Sequence, residues 1–416
     1  MGGDGIINFM NTKTDRRIAW VPLLACPAVP QKKLLYKPAV APMVVALAAG
    51  LCLLSAAVAT AMDYVTLRRD GRDLQLEGRV EVTAQDGGIL LLARDGVLWT
   101  ILPEELGKHS HDDTPFRPLS TQDLSRLLLA RLPKGFDVHP TTHYLIFHNT
   151  SRVYAQWCGG LFERLYTAFR NYWTHKGFEL AEPEFPLVAV VFADKSSYVK
   201  FSRAELGDAA ESIIGYFSLA SNRMTMYDLT ESSGRGNRFN SSAQLNQVLG
   251  GAQAVQTVAT VVHEAMHQIA FNCGLHTRFS DCPLWFSEGI AVYFETPDLH
   301  STKGWSGVGA VNRMRLVQFQ QFLRSRPRDS LTTLIRDDKR FHDLKQVLDT
   351  YSEAWALTYY LIRQRPKQYV EYLRLLSAKK PVVQDTPQAR LDQFERCFGS
   401  LKQVDADFLR YMLRVR

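Results

Sequence analysis

The stretch "VVHEAMHQIA", residues 261–270, sets His263 and His267 four residues apart, with Glu264 directly after the first. The surrounding residues, about 252–272, have helical spacing, and Val255, Val258, Val262, Ala265 and Ile269 form one apolar stripe. Thr257, Val258, Thr260, Val261 and Val262 are β-branched and unfavourable in an exposed helix, so burial must supply what propensity withholds. The pattern therefore predicts a helix held inside the protein. On its other face, residues i and i+4 lie side by side, so both imidazoles can reach a single ion. Glu264 is rotated by about 100° from His263, which places it beside a water at the ion instead of the ion itself.

A catalytic zinc takes neutral imidazole and needs three protein ligands, with a fourth position left open. Such an ion lowers the pKa of a water towards 7, and a neighbouring carboxylate takes its proton during attack on a carbonyl. Two histidines and a glutamate recur by chance too often to decide the matter, so a third ligand is required. A metzincin would place Gly three and His six residues after His267, where this chain has Ala270 and Cys273; His276 lies nine residues on. That class is excluded. Downstream stands "PLWFSEGIAVYFE", residues 283–295, an apolar helical segment interrupted by Glu288 and Gly289. A carboxylate in such a segment must be paired or bind a metal. Glycine inside a helix costs about 1 kcal/mol against alanine, and close approach of another backbone explains it, expected here from the motif helix. Glu288, 21 residues after His267, is the predicted third ligand. Glu295 lies on the same face about 10 Å away, too far for the same ion, and is expected behind the ligands.

"TVVHEAMHQIAFNCGL" followed by "PLWFSEGIAVYFE" resembles the gluzincins, zinc peptidases with two histidines from one helix and a glutamate from the next. More narrowly it is similar to the peptidase MA-like group of exported bacterial proteins, often labelled only as a domain of unknown function. The resemblance spans about residues 185–361, less than half of the chain. It implies a thermolysin-like core, a Zn²⁺ ion, and a peptide or protein substrate bound along the edge strand of a sheet. "GYFSLASNRMTMYD", residues 215–228, reads as a hairpin turning at Ser221-Asn222 and is the candidate for that edge. Gluzincins also use a Tyr or His of a later helix to stabilise the oxyanion. In "TYSEAWALTYYL", residues 350–361, Thr350 and Glu353 read as a capping box that sets Tyr351 in the first turn. Tyr351 is then either an oxyanion donor or an ordinary buried tyrosine, while Tyr359 and Tyr360 read as core. Two functions are open: a zinc peptidase with Glu264 as general base, or a binding and scaffold protein that keeps the zinc site. Retention of Glu264 favours the first.

The other segments set the context. With 416 residues and 46% apolar content the chain can bury a sizeable core. The net charge is +7, but residues 1–61 carry +4 of it, so the basic balance does not argue for nucleic acid. Residues 39–61 hold no charge and follow Lys32, Lys33 and Lys37, as in an export signal or membrane anchor. Ala59-Thr60-Ala61 fits signal peptidase cleavage, and the expected location is extracytoplasmic: periplasmic, secreted or anchored to the outer side of the membrane. Residues 62–118 read as a small β-domain and linker. About four strands are separated by Asp-Gly turns, then comes the polar stretch "GKHSHDDTPFRPLSTQD", whose His109, His111, Asp112 and Asp113 read as solvated. Residues 119–416 form the peptidase-like domain: strands and a few helices first, helices after Gln244, hence an α+β fold with a mostly helical C-terminal half. Residues 231–242 read as a loop. Four cysteines follow the apolar segment, which is compatible with disulfides in an exported chain. Cys273 and Cys282, bracketing the loop between the two ligand helices, are the predicted pair; how Cys158 and Cys397 pair is open.

Overall fold

The computed structural model describes residues 19–20, 61–230, 241–296 and 307–416. The apolar stretch up to Thr60, the loop at 231–240 and residues 297–306 lie outside the described residues, as does the side chain of Val255. The first described element is the two-residue strand β1 (Ala19–Trp20). Where the apolar stretch ends, β2 (Ala61–Arg69) opens an antiparallel sheet with β3 (Arg72–Thr83), β4 (Ile89–Ala93), β5 (Leu98–Ile101) and β6 (Leu106–Pro115). Its strand order is β5-β4-β3-β2-β6. Asp70 and Gly71 take φ of 52° and 71°, the left-handed backbone that a tight hairpin turn requires. β6 corrects the linker reading. Residues 106–115 pair with β2, His109 Nε2 lies 2.8 Å from Asp63 Oδ1, and the Tyr64 hydroxyl donates to Asp112 at 3.1 Å. An uncovered strand shows no apolar alternation, so its composition imitates a linker.

Helix α1 (Thr121–Arg131) follows, with Ser120 Oγ accepting from Asp123 N–H at 3.1 Å as the capping pattern predicts. The second sheet contains β7 (Asp137–Pro140), β8 (Tyr144–His148), β9 (Leu187–Phe192), β10 (Gly215–Ser218) and β11 (Arg223–Tyr227), in the order β1-β10-β11-β9-β8-β7. β8, β9 and β11 are parallel neighbours, joined by crossovers through α2 (Arg152–His175) and α3 (Lys195–Leu206). Reading the chain as strands followed by helices passed over these βαβ units. The class is nevertheless α+β, because β7 pairs antiparallel with β8 and β10 with β11, and the described elements from Ser242 onward are helical. The sheet is buried on both faces, which is why β9 reads as one continuous apolar run. Val188, Val190 and Phe192 meet Leu124 and Leu128 of α1 and Tyr198 of α3, while Leu187, Ala189 and Val191 join the main core with α2.

The helical half comprises α4 (Ser242–Leu249), α5 (Ala252–Asn272), α6 (Leu284–Phe294), α7 (Arg313–Phe322), α8 (Ser330–Arg336), α9 (Val347–Gln364), α10 (Pro366–Ser377), α11 (Pro387–Phe398) and α12 (Leu401–Met412). Val258, Val262, Ala265 and Ile269 of α5 are buried in the main core, so tertiary packing does override the β-branched run. α6 is buried from Trp285 to Phe294, an apolar helix enclosed on all sides. Gly289 does mark a close approach, but to α9 and not to the motif helix α5. A Cβ there would sit 2.1 Å from Thr358 Oγ1 and 2.9 Å from Ala354 O. The face of α6 towards α5 carries Glu288. The capping box at Thr350 is also corrected. α9 starts at Val347, Thr350 Oγ1 donates to Gln346 O at 2.8 Å, and Tyr351 belongs to the second turn. Glu353 instead lies buried against Arg326 (2.7 Å), Arg340 (2.8 Å) and Ser330 (2.8 Å). No helix among the described residues is long and apolar enough to cross a membrane.

Candidate metal centre

α5 delivers His263 and His267 one turn apart, and α6 brings Glu288 against them; all three are buried. His263 Nε2 lies 3.0 Å from Glu288 Oε2 and 3.1 Å from His267 Nε2, and His267 Nε2 lies 3.5 Å from Glu288 Oε1. Donors held tetrahedrally at about 2.0 to 2.1 Å from a common ion stand about 3.4 Å apart, so this spacing suits a small divalent cation. Among the described residues this is the group of His, Cys, Asp and Glu side chains arranged to hold a metal ion. The charges of the three groups depend on one another. Burial opposes a charged Glu288, yet the two imidazoles outweigh it and hold the carboxyl well below the usual range. Burial likewise opposes a charged His263, but Glu288 and Glu295 raise it to about 10. For His267 burial prevails and its pKa is lowered.

Around this triad stand the residues expected to support it. Glu295, just past the last residue of α6, places Oε2 3.9 Å from His263 Nδ1, behind the ligand as its spacing predicts. Glu264 is 1% exposed and accepts from the backbone N–H of Phe217 on β10 at 2.9 Å. Burial, reinforced by Glu288, raises its pKa to about 8 against the pull of His263 and that N–H. The β10–β11 hairpin turns through Ser221 and Asn222, whose φ is 61°, as the sequence indicates. Tyr351 also faces the site: its ring centre is 6.5 Å from that of His263, with Phe341 edge-on at 5.4 Å and the Arg315 guanidinium over the ring at 5.4 Å. Tyr359 and Tyr360 lie in the core, packed on Trp355 and Phe408. His276 stays outside the triad. It sits between Phe271 and Phe286, and burial together with His267 lowers its pKa to about 3.

Two participants escaped the sequence reading. The Phe217 N–H is a backbone group, so no residue type announces it. Arg315 lies beyond both motifs, and only the packing of α7 on α9 brings it over Tyr351.

The predicted bridge between Cys273 and Cys282 is absent, and all four described cysteines are free. The two thiols face different surroundings. Cys273 is buried and interacts with Arg170, Glu182 and Tyr166, whereas the neighbours of Cys282 are Lys379, Asp281, Asp338 and Arg390. The loop between them is folded by its own bonds, with Leu275 N–H and His276 N–H both donating to Ala270 O, at 2.9 and 3.2 Å.

Fold and site define an α+β protein with a buried His₂Glu group able to hold a metal ion. Residues 257–383 match a family model described as a protein of unknown function (DUF1570). The matched span starts within α5 and ends just past α10. It contains the triad, Glu264 and Tyr351, and leaves out the β10–β11 hairpin and the five-stranded sheet. The comparison with curated proteins gives no match.

Proposed function

We propose that this chain is a zinc-dependent peptidase with a thermolysin-like core that acts on peptide or protein substrates outside the cytoplasm. The observation that carries the reading is Glu264, a buried carboxylate beside the triad that is not one of its ligands. A pure metal-binding or scaffold site has no use for it. His263, His267 and Glu288 would hold the zinc, which supplies Lewis acidity and lowers the pKa of a water. Glu264, oriented by the Phe217 N–H, takes the proton as the water adds to the carbonyl and passes it to the departing amine. Tyr351 donates to the oxygen that gains charge, with the Arg315 cation over its ring. β1 pairs antiparallel with the outer side of β10, and an extended substrate would add to β10 as a strand in place of β1. The uncharged stretch after Lys32, Lys33 and Lys37 supports the extracytoplasmic assignment.

Incubating the protein with a peptide library, with and without a chelator, tests this reading. Cleavage should stop on chelation and return with zinc. Glu264→Gln should keep the metal and lose hydrolysis. A variant that cleaves at the wild-type rate removes Glu264 as base. Zinc retention with peptide binding but no cleavage by the wild type would make the chain a recognition protein, and a purified protein without metal would sink both.

A further inference from the structure

We infer that the five-stranded sheet is a positioning device for Glu264, and that Arg278 is the residue through which it acts. Arg278 lies in the loop between α5 and α6. Its Nη1 donates to Gly96 O, in the turn between β4 and β5, and to Leu219 O, in the turn of the β10–β11 hairpin, both at 3.0 Å. One cation thus joins the small sheet, the hairpin and the loop that leads to Glu288. Burial lowers its pKa to about 10, so it remains charged at neutral pH. Three further links join the same parts. Leu98 N–H of β5 donates to Ala220 O at 2.8 Å. Asp95 accepts from Arg131 at 3.0 Å and from Arg223 of β11 at 3.1 Å. Phe279 packs both on the cluster of Leu90, Leu92, Leu98 and Phe185 and on that of Phe217, Leu219 and Phe271.

The path from Arg278 to the carboxylate is short. Leu219 is two residues from Phe217, whose N–H holds Glu264 Oε2. Besides that bond to Glu264, the hairpin is fastened on its α5 side by neutral groups: the paired amides of Asn222 and Asn272 at 2.8 Å, and Gln268 Nε2 to Asn222 O at 3.2 Å. Removing the guanidinium leaves two carbonyls without their donor and frees the turn from the sheet. The Phe217 N–H then loses its fixed place, and an orientation error of about 1 Å at a base is enough to cost activity. The sheet and hairpin lie outside the family match, so this support comes from a part of the chain the match does not reach.

The test is hydrogen exchange, which needs no substrate and is independent of the peptidase reading. In Arg278→Met, residues 215–221 should exchange about 10-fold faster while β8 and β9 keep their wild-type protection and the metal content is unchanged. Arg278→Lys should restore part of the protection. Unchanged exchange at 215–221, or exchange rising equally in β8 and β9, overturns the inference. Should Arg278→Met not fold, Asp95→Asn loosens the same junction and must speed the same segment; if that segment stays as slow as in wild type, the inference fails. If the protein also proves a peptidase, Arg278→Met should lower kcat with KM unchanged and Arg278→Lys should regain part of the rate, whereas a merely structural role would reduce only the folded fraction and leave its turnover as in wild type.

Discussion

Asp281 and Glu288 are both buried, on either side of the start of α6, and they meet opposite neighbours. Asp281 faces Arg390, at 2.5 and 3.0 Å, and Lys379, at 3.5 Å. Arg390 also reaches Asp338 at 2.9 Å, whose other oxygen accepts from Leu284 N–H at 2.9 Å. Among the described residues Glu288 meets the two imidazoles and no guanidinium or ammonium group. A carboxylate under a guanidinium is neutralised in place, and its lone pairs are used up. One shared between imidazoles leaves three donor atoms directed at a common point, where a cation completes the charge balance. Glu353, enclosed by Arg326 and Arg340, belongs with Asp281. The Asp281 cluster also does what the disulfide was expected to do: it pins the first turn of α6, and so brings Glu288 to the histidines.

Exchanging the roles of the two carboxylates is the sharpest way to break this comparison. Glu288→Ala should reduce the bound metal from about one ion per chain to none by metal analysis of dialysed protein. Equal metal in wild type and variant would place Glu288 beside Asp281 as a purely structural group. Asp281→Ala should do the reverse, keeping the metal in the folded protein while denaturant unfolding shows a loss of about 3–5 kcal/mol, because Arg390 stays buried without its anion. Unchanged stability with lost metal would invert the assignment. Tyr351 stands on the imidazole side of the divide, and Tyr351→Phe should lower kcat by about 10²-fold with little change in KM. An unaltered kcat returns it to the core.

Smaller effects test how α6 is seated. Gly289→Ala should cost about 1–3 kcal/mol in thermal or denaturant unfolding, since the new methyl meets Thr358 Oγ1 and Ala354 O. Adding Thr358→Ala should recover part of this, and a neutral Gly289→Ala would show that α6 does not rest on α9 so closely. The smallest effect concerns the thiols: with charge pinning the helix, a reductant should leave Tm unchanged. A clear drop in Tm would reinstate the bridge between Cys273 and Cys282.

What the sequence made legible is what side chains announce. His263, Glu264 and His267 follow from helical spacing, and Glu288 from a carboxylate with no other reason to sit in an apolar helix. β9 shows its β-branched run, and the hairpin its Asn222 turn. Hidden were features decided by the backbone or by distant partners. The Phe217 N–H has no residue signature, and the start of α9 at Val347 has no side-chain cap to mark it. Gly289 signals a neighbour without naming which helix it is. Two cysteines that bracket a loop give no sign that Arg170 surrounds one and Arg390 the other.

The five-stranded sheet ends differently on its two sides. β5 is closed off by the hairpin turn through Ala220, while β6 pairs only with β2 among the described residues and shows Lys108, His109, Asp112 and Asp113 to solvent. A strand with one row of free N–H and C=O groups is a template on which another molecule can add its own. Charges of both signs along β6, and a proline at its last position, make it a poor surface for such pairing. The polarity that makes this strand look like a linker in the sequence thus also makes its outer edge a poor template for a further strand.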